Sequence, residues 1–112
     1  YLKVLESFNT GIKNSKNQIR IIQLDKIARE PLHPDNFNHA LGHGIGLDVH
    51  EQPFISKKSK EKLHTNMMIT IEPGIYRKNK YGIRIEDVVV VGLKNGKSIS
   101  SFPRDISQVI WG

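Results

Sequence analysis

Glu72 closes the apolar run Met67-Met68-Ile69-Thr70-Ile71, and Glu86 interrupts a second run between Ile83 and Val91. A carboxylate set among Ile and Val needs a partner, because taking an unpaired charge out of water is very costly. Along a strand, residues two apart share a face. Met68, Thr70 and Glu72 then look one way, and Met67, Ile69 and Ile71 look toward a core. By the same parity Arg84 and Glu86 share a face, with Ile83 and Ile85 on the other. His39 and His43 share one too if residues 38–43 are extended. Two carboxylates that met would repel each other. A cation between them removes the repulsion, and an oxygen-rich site with one imidazole suits Mn, Fe, Co or Zn. The spacing equally permits a structural arrangement, with Glu86 paired to Arg84 or Arg77 and the histidines in loops.

Two other constellations fail on inspection. Gly92-Leu93-Lys94-Asn95-Gly96-Lys97-Ser98 is one residue short of a phosphate-binding loop, and no amphipathic helix follows it. His50-Glu51 opens like a helical H-E-x-x-H zinc motif, but Phe54 holds the fifth position and Pro53 interrupts any helix.

The elements that must position these residues follow from periodicity. Val4, Leu5, Phe8 and Ile12 fall at helical spacing, broken near Gly11 and by Asn14-Ser15-Lys16-Asn17. Ile21, Ile22, Leu24, Ile27 and Ala28 predict a second helix that Pro31 stops at or before Glu30. From Asn38 the character changes: Gly42, Gly44 and Gly46 disfavour a helix, and Leu47-Asp48-Val49-His50 alternates like a strand. Met67 to Glu72 reads as a strand closed by Pro73-Gly74, and Ile83 to Val91 as a longer one. Asn95-Gly96 is a two-residue hairpin signal leading into Ser98-Ile99-Ser100. His33 and His64 lie in polar loops, while Tyr76 and Trp111 read as packing residues. The expected class is α+β, helices first and then an antiparallel sheet.

Composition bounds the rest. At 112 residues the chain is one domain at most, and its 38% hydrophobic and 25% charged content fits a globular protein. No apolar run approaches the ~20 residues of a membrane helix, so no membrane partner is expected. Without cysteine, disulfides, thiolate zinc sites and cysteine nucleophiles are excluded, and the cytoplasm is the expected compartment. The net charge of +6 admits nucleic acid. Yet Lys57, Lys58, Lys60 and Lys62 sit in a polar stretch with no interleaved aromatics, which reads as a solvated loop and not a nucleic-acid surface. Tyr1 to Glu6 is already amphipathic, unlike a signal peptide, and the first methionine is Met67. The chain therefore reads as an excerpt that begins inside a helix.

Asn38-His39-Ala40-Leu41-Gly42-His43-Gly44-Ile45-Gly46-Leu47-Asp48-Val49-His50-Glu51-Gln52-Pro53 resembles the first C-terminal signature of the pita-bread metallopeptidases. Thr70 to Tyr76 resembles the second, and Gly82-Ile83-Arg84-Ile85-Glu86-Asp87 the third. The third also resembles one branch above others. Methionine aminopeptidases carry Gln-Phe-Glu where this chain has Arg84-Ile85-Glu86, and the arginine version is similar to aminopeptidase P and prolidase.

The resemblance implies the C-terminal part of a pita-bread (creatinase/aminopeptidase-like) α+β fold over residues 1–112, and hydrolysis of Xaa-Pro bonds by a hydroxide activated between two divalent ions, most suitably Mn. It implies that His43 and Glu72 ligate one metal and that Glu86 bridges two. It gives His50 a transition-state or proton-transfer role, His39 a contact to substrate, and Arg84 the orienting of Glu86. Peptides with proline after the scissile bond are the implied partners, and a homo-oligomer is allowed for. The family's two upstream strand aspartates have no counterpart: Asp25 falls in the second helix and Asp35 in a proline-flanked loop. Three of five ligands are then at hand, and the chain alone is expected to be inactive. Two other functions remain open, a non-catalytic pita-bread module that binds peptides, histones or nucleic acid, and creatinase-like C–N hydrolysis.

Overall fold

Val4, Ser7, Phe8 and Gly11 recur at helical spacing and form the buried face of α1 (Leu2–Lys13) in a computed structural model that describes residues 1–46, 51–100 and 103–105. The helix runs through Gly11 instead of breaking there. A Cβ at this position would stand 2.9 Å from Ile71 Cγ2, so the glycine lets the helix lie close against the sheet. Helix α2 (Ile21–Arg29) buries Ile21, Leu24, Asp25 and Ala28, and passes into a 3-10 turn (Glu30–Leu32) that contains Pro31. The end forced by proline is as the sequence predicts.

Among the described residues seven strands follow: β1 (Gly42–Gly44), β2 (Glu51–Ile55), β3 (Met68–Ile71), β4 (Gly74–Arg77), β5 (Tyr81–Arg84), β6 (Asp87–Val90) and β7 (Lys97–Ser98). Five of them make an antiparallel sheet in the order β2-β1-β3-β6-β7, and β4 and β5 pair by themselves. The core face read for β3 holds, with Ile69 and Ile71 0% exposed; on the other face Met68, the first residue of the strand, is 43% exposed, while Thr70 is buried at 4%. Helix α1 packs against β3 and β7 and α2 against β2, so Val4, Phe8, Leu24, Ile69, Ile71 and Val89 share one core.

Two further expectations need correcting. The single long strand from Ile83 to Val91 is two strands, because Ile83 pairs with Ile75 in the small sheet while Asp87 pairs with Ile71 in the large one. The chain changes sheets at Ile85-Glu86, which places Glu86 at a corner between them. β3 ends before Pro73-Gly74, as expected, and Gly74 begins the next strand, β4. The hairpin after β6 is longer than a two-residue turn: its innermost pair is Val90 and Lys97, and the connection is moored to the end of α1 by the Gly96 N–H donating to Ile12 O (3.0 Å). Pro53 lies inside β2, on the edge of the sheet, where a missing N–H costs no ladder bond. His33 and His64 are exposed, as expected. The strand expected at Leu47 to His50, His50 itself and Trp111 lie outside the described residues.

Candidate metal centre

His43 stands in β1 between two glycines that have no room for a side chain: a Cβ on Gly42 would overlap the Thr70 carbonyl, and one on Gly44 the Gln52 carbonyl. A register shift against β2 falls between His43 and Gly44. The His43 N–H donates to Thr70 Oγ1 (3.1 Å), which ties the histidine backbone to β3. Its Nδ1 lies 2.9 Å from Gly44 O. A carbonyl can only accept, so the proton is assigned to Nδ1, and Nε2 of the neutral ring keeps its lone pair. Nε2 is 3.7 Å from Glu72 Oε2 in a side chain that is 10% exposed.

Glu72 follows β3 directly, and its N–H donates to Leu41 O (2.7 Å). Glu86 reaches the same point from the sheet-changing corner. One ligand atom from each of His43, Glu72 and Glu86 lies within 4.8 Å of the others. Burial pushes the Glu86 carboxyl above its ordinary range, and the facing Glu72 carboxylate adds to that rise. The charge of Arg84 pulls the other way. A carboxyl whose proton affinity is raised by a facing carboxylate is in the relation a cation relieves.

The His43–Glu72 pair is spaced to hold a divalent ion. Two donors each about 2.1 Å from one ion stand no more than about 4.2 Å apart, and the His43–Glu72 separation of 3.7 Å falls inside that. One imidazole with its lone pair inward and two carboxylates match Mn, Fe, Co or Zn by ligand type. The purely structural arrangement does not occur for Arg77, which pairs with Asp35 at 2.7 Å.

His39 is not in this cluster. It sits before β1, with Nδ1 donating to Ala40 O (2.7 Å) and Nε2 2.8 Å from the Tyr76 hydroxyl. Tyr76, read from the sequence as packing, is 45% exposed and is a hydrogen-bonding partner of His39. Its place four residues after Glu72, on the exposed side of β4, was the available signal. Thr70 is 4% exposed and makes the cross-strand bond that its parity allowed. Arg84 is exposed on β5 and acts on Glu86 through its charge. Asp25 is engaged by Arg29 (2.9 Å) and Asp35 by Arg77, so neither belongs to the cluster.

The chain is similar in sequence and shape to known proteins. The profile of metallopeptidase family M24 matches residues 1–92. An Xaa-Pro dipeptidase of Pyrococcus horikoshii is 38% identical over 110 residues, covering 95% of this chain and 31% of that protein. The crystal structure of an X-Pro aminopeptidase from Thermotoga maritima superposes with a TM-score of 0.86 at 40% identity, over 93% of this chain and 31% of that one. An X-prolyl aminopeptidase from Caenorhabditis elegans, described as a cytosolic enzyme with a di-nuclear active site, superposes at 0.80 with 34% identity, over 96% of this chain and 20% of its own. The chain thus spans about a third or less of the length of these relatives. Two helices followed by an antiparallel sheet are the corresponding part of their pita-bread fold. The chain belongs to metallopeptidase family M24, on the branch of the Xaa-Pro dipeptidases and aminopeptidases.

Proposed function

We propose that residues 1–112 are the C-terminal portion of a metallopeptidase catalytic domain, in an enzyme that hydrolyses Xaa-Pro bonds as an aminopeptidase P or a prolidase. The convergence of His43, Glu72 and Glu86 within 4.8 Å carries this reading. His43 and Glu72 would hold one divalent ion, and Glu86 would lie between two, with Mn the preferred metal. When bound, such ions supply Lewis-acid activation of a water and of the scissile carbonyl.

The chain's own residues prepare the site for that chemistry. The Nδ1–H bond to Gly44 O fixes the His43 ring with Nε2 toward the carboxylates. Thr70 holds the same histidine from the backbone side. Arg84 keeps Glu86 more acidic than burial and Glu72 alone would leave it. His39, beside Tyr76, is the group we assign to substrate contact, and His50 to steadying the tetrahedral intermediate or moving a proton. The substrate is a peptide with proline after the scissile bond, the compartment is the cytoplasm, and the remaining aspartate donors come from elsewhere in a longer protein. By itself the 112-residue chain is peptidase-inactive in this account.

The test uses the segment within a full-length protein assayed on an Ala-Pro-type peptide. Glu86→Gln removes activity and loosens both metals; two full equivalents bound at undiminished affinity would refute the bridging role. His50→Ala keeps the metal and lowers kcat by about 10²–10³. An unchanged kcat would refute that assignment.

A further inference from the structure

Asp25 is 2% exposed, a carboxylate set into the buried face of α2 among Ile21, Leu24 and Ala28. Burial pushes its carboxyl up, and Arg29, one helical turn on, opposes that rise. Arg29 Nε donates to both Asp25 oxygens at 2.9 Å. The rest of the guanidinium faces the loop before β1. Nη1 donates to Phe37 O (2.6 Å) and Asn36 Oδ1 (3.2 Å), and Nη2 donates to His39 O (2.8 Å). The guanidinium carbon also lies 3.9 Å from the centre of the Phe37 ring, whose other neighbour is the His39 ring at 4.7 Å. His39 then meets Tyr76 edge-on at 5.5 Å.

Burying a carboxylate is costly, and a local ion pair on one helix repays that poorly. The pair gains a purpose when its arginine holds two backbone carbonyls of the segment that presents His39. We propose that Asp25 and Arg29 are positioning residues that fix the His39 ring against Tyr76. The carboxylate aims the planar fork, and the fork sets the backbone from Phe37 to His39. Lysine cannot do this, since a point charge on a flexible stem does not span a carboxylate and two carbonyls at once. The functional value of the placement rests on His39 facing substrate. The ring's geometry does not, and it can be read without metal or peptide.

The experiment is long-range ¹H–¹⁵N NMR of the histidine rings in the 112-residue chain. In the wild type His39 shows the single Nδ1–H tautomer required by its bond to Ala40 O. His43 shows the same tautomer and serves as the internal control for the fold. In Arg29→Lys, which keeps the charge beside Asp25, His39 should lose that single tautomer to an exchange-averaged pattern while His43 keeps it. Retention of the His39 signature in Arg29→Lys would overturn the proposal. Phe37→Leu removes the ring stack but leaves the carbonyls that Arg29 holds, so His39 should keep its tautomer there. Its loss in Phe37→Leu would show that ring packing and not Arg29 sets the histidine, and this arm decides the matter even if Arg29→Lys does not fold. Failure of the peptidase reading would leave both results unchanged.

Discussion

Thr70 shows how a single hydroxyl ties down a strand histidine: its Oγ1 accepts the His43 N–H in a place that is 4% exposed. Removing it leaves a buried N–H without that acceptor. Thr70→Val should therefore cost on the order of 1–3 kcal/mol in urea unfolding and weaken metal binding in the same variant. A variant as stable as the wild type would show that the bond does not hold β1 to β3. The neighbouring carboxylates behave differently, because their cost is mutual. The sequence parity put Glu72 on the polar face of its strand, and the structure brings it to His43 and Glu86. Tyr76 packs edge-on against His39, but an aromatic at the end of a signature gives no sign of its hydroxyl partner until the His39 loop is folded against it. Arg29 was missed for the same reason. Its partners lie seven to ten residues ahead, in a loop without periodicity.

At the scale of elements, periodicity was enough for α2, where burial repeats every turn, and for the apolar face of β3, although Thr70 on its other face is buried as well. It failed where tertiary pairing overrides local pattern. From Ile83 to Val91 the chain is uniformly strand-like, yet Ile75 and Ile71 claim its two ends for different sheets. The resulting corner is what delivers Glu86 to the site. Gly11 read as a helix breaker because glycine lowers helix propensity, but the close approach of Ile71 decides its role. Gly11→Val should destabilise the chain by about 1–3 kcal/mol through overpacking between α1 and β3. Thermal unfolding at or above the wild-type midpoint would contradict that packing. The loop before β1 has its own anchor in the Asp35–Arg77 pair, where the arginine holds the Asp35 carboxyl below its usual value. A depressed carboxyl contributes stability above its unfolded pKa and loses it as the pH falls through the folded one. Both side chains are substantially exposed, so the effect is small. Asp35→Asn should flatten the acid limb of the stability curve slightly, and a steeper acid limb in that variant would reverse the assigned sign.

For the whole molecule, the half-built charge of the site sets the expectation. Three donors converge, while Asp25 and Asp35 are committed to arginines on other errands. The chain should bind divalent metal without reaching stoichiometry at micromolar concentrations, and it should not hydrolyse Xaa-Pro peptides. Phe54 at 40% and Met68 at 43% exposure leave apolar surface on the sheet, which favours self-association. Sedimentation velocity should show a concentration-dependent dimer that Met68→Lys reduces; a monomer at every concentration would contradict this. The central claim is that His43, Glu72 and Glu86 form one metal centre, and titration of the chain with Mn followed by electron paramagnetic resonance tests it most directly. The account predicts weak binding of Mn that disappears in His43→Ala and in Glu86→Gln alike, and binding undiminished in either variant would contradict it.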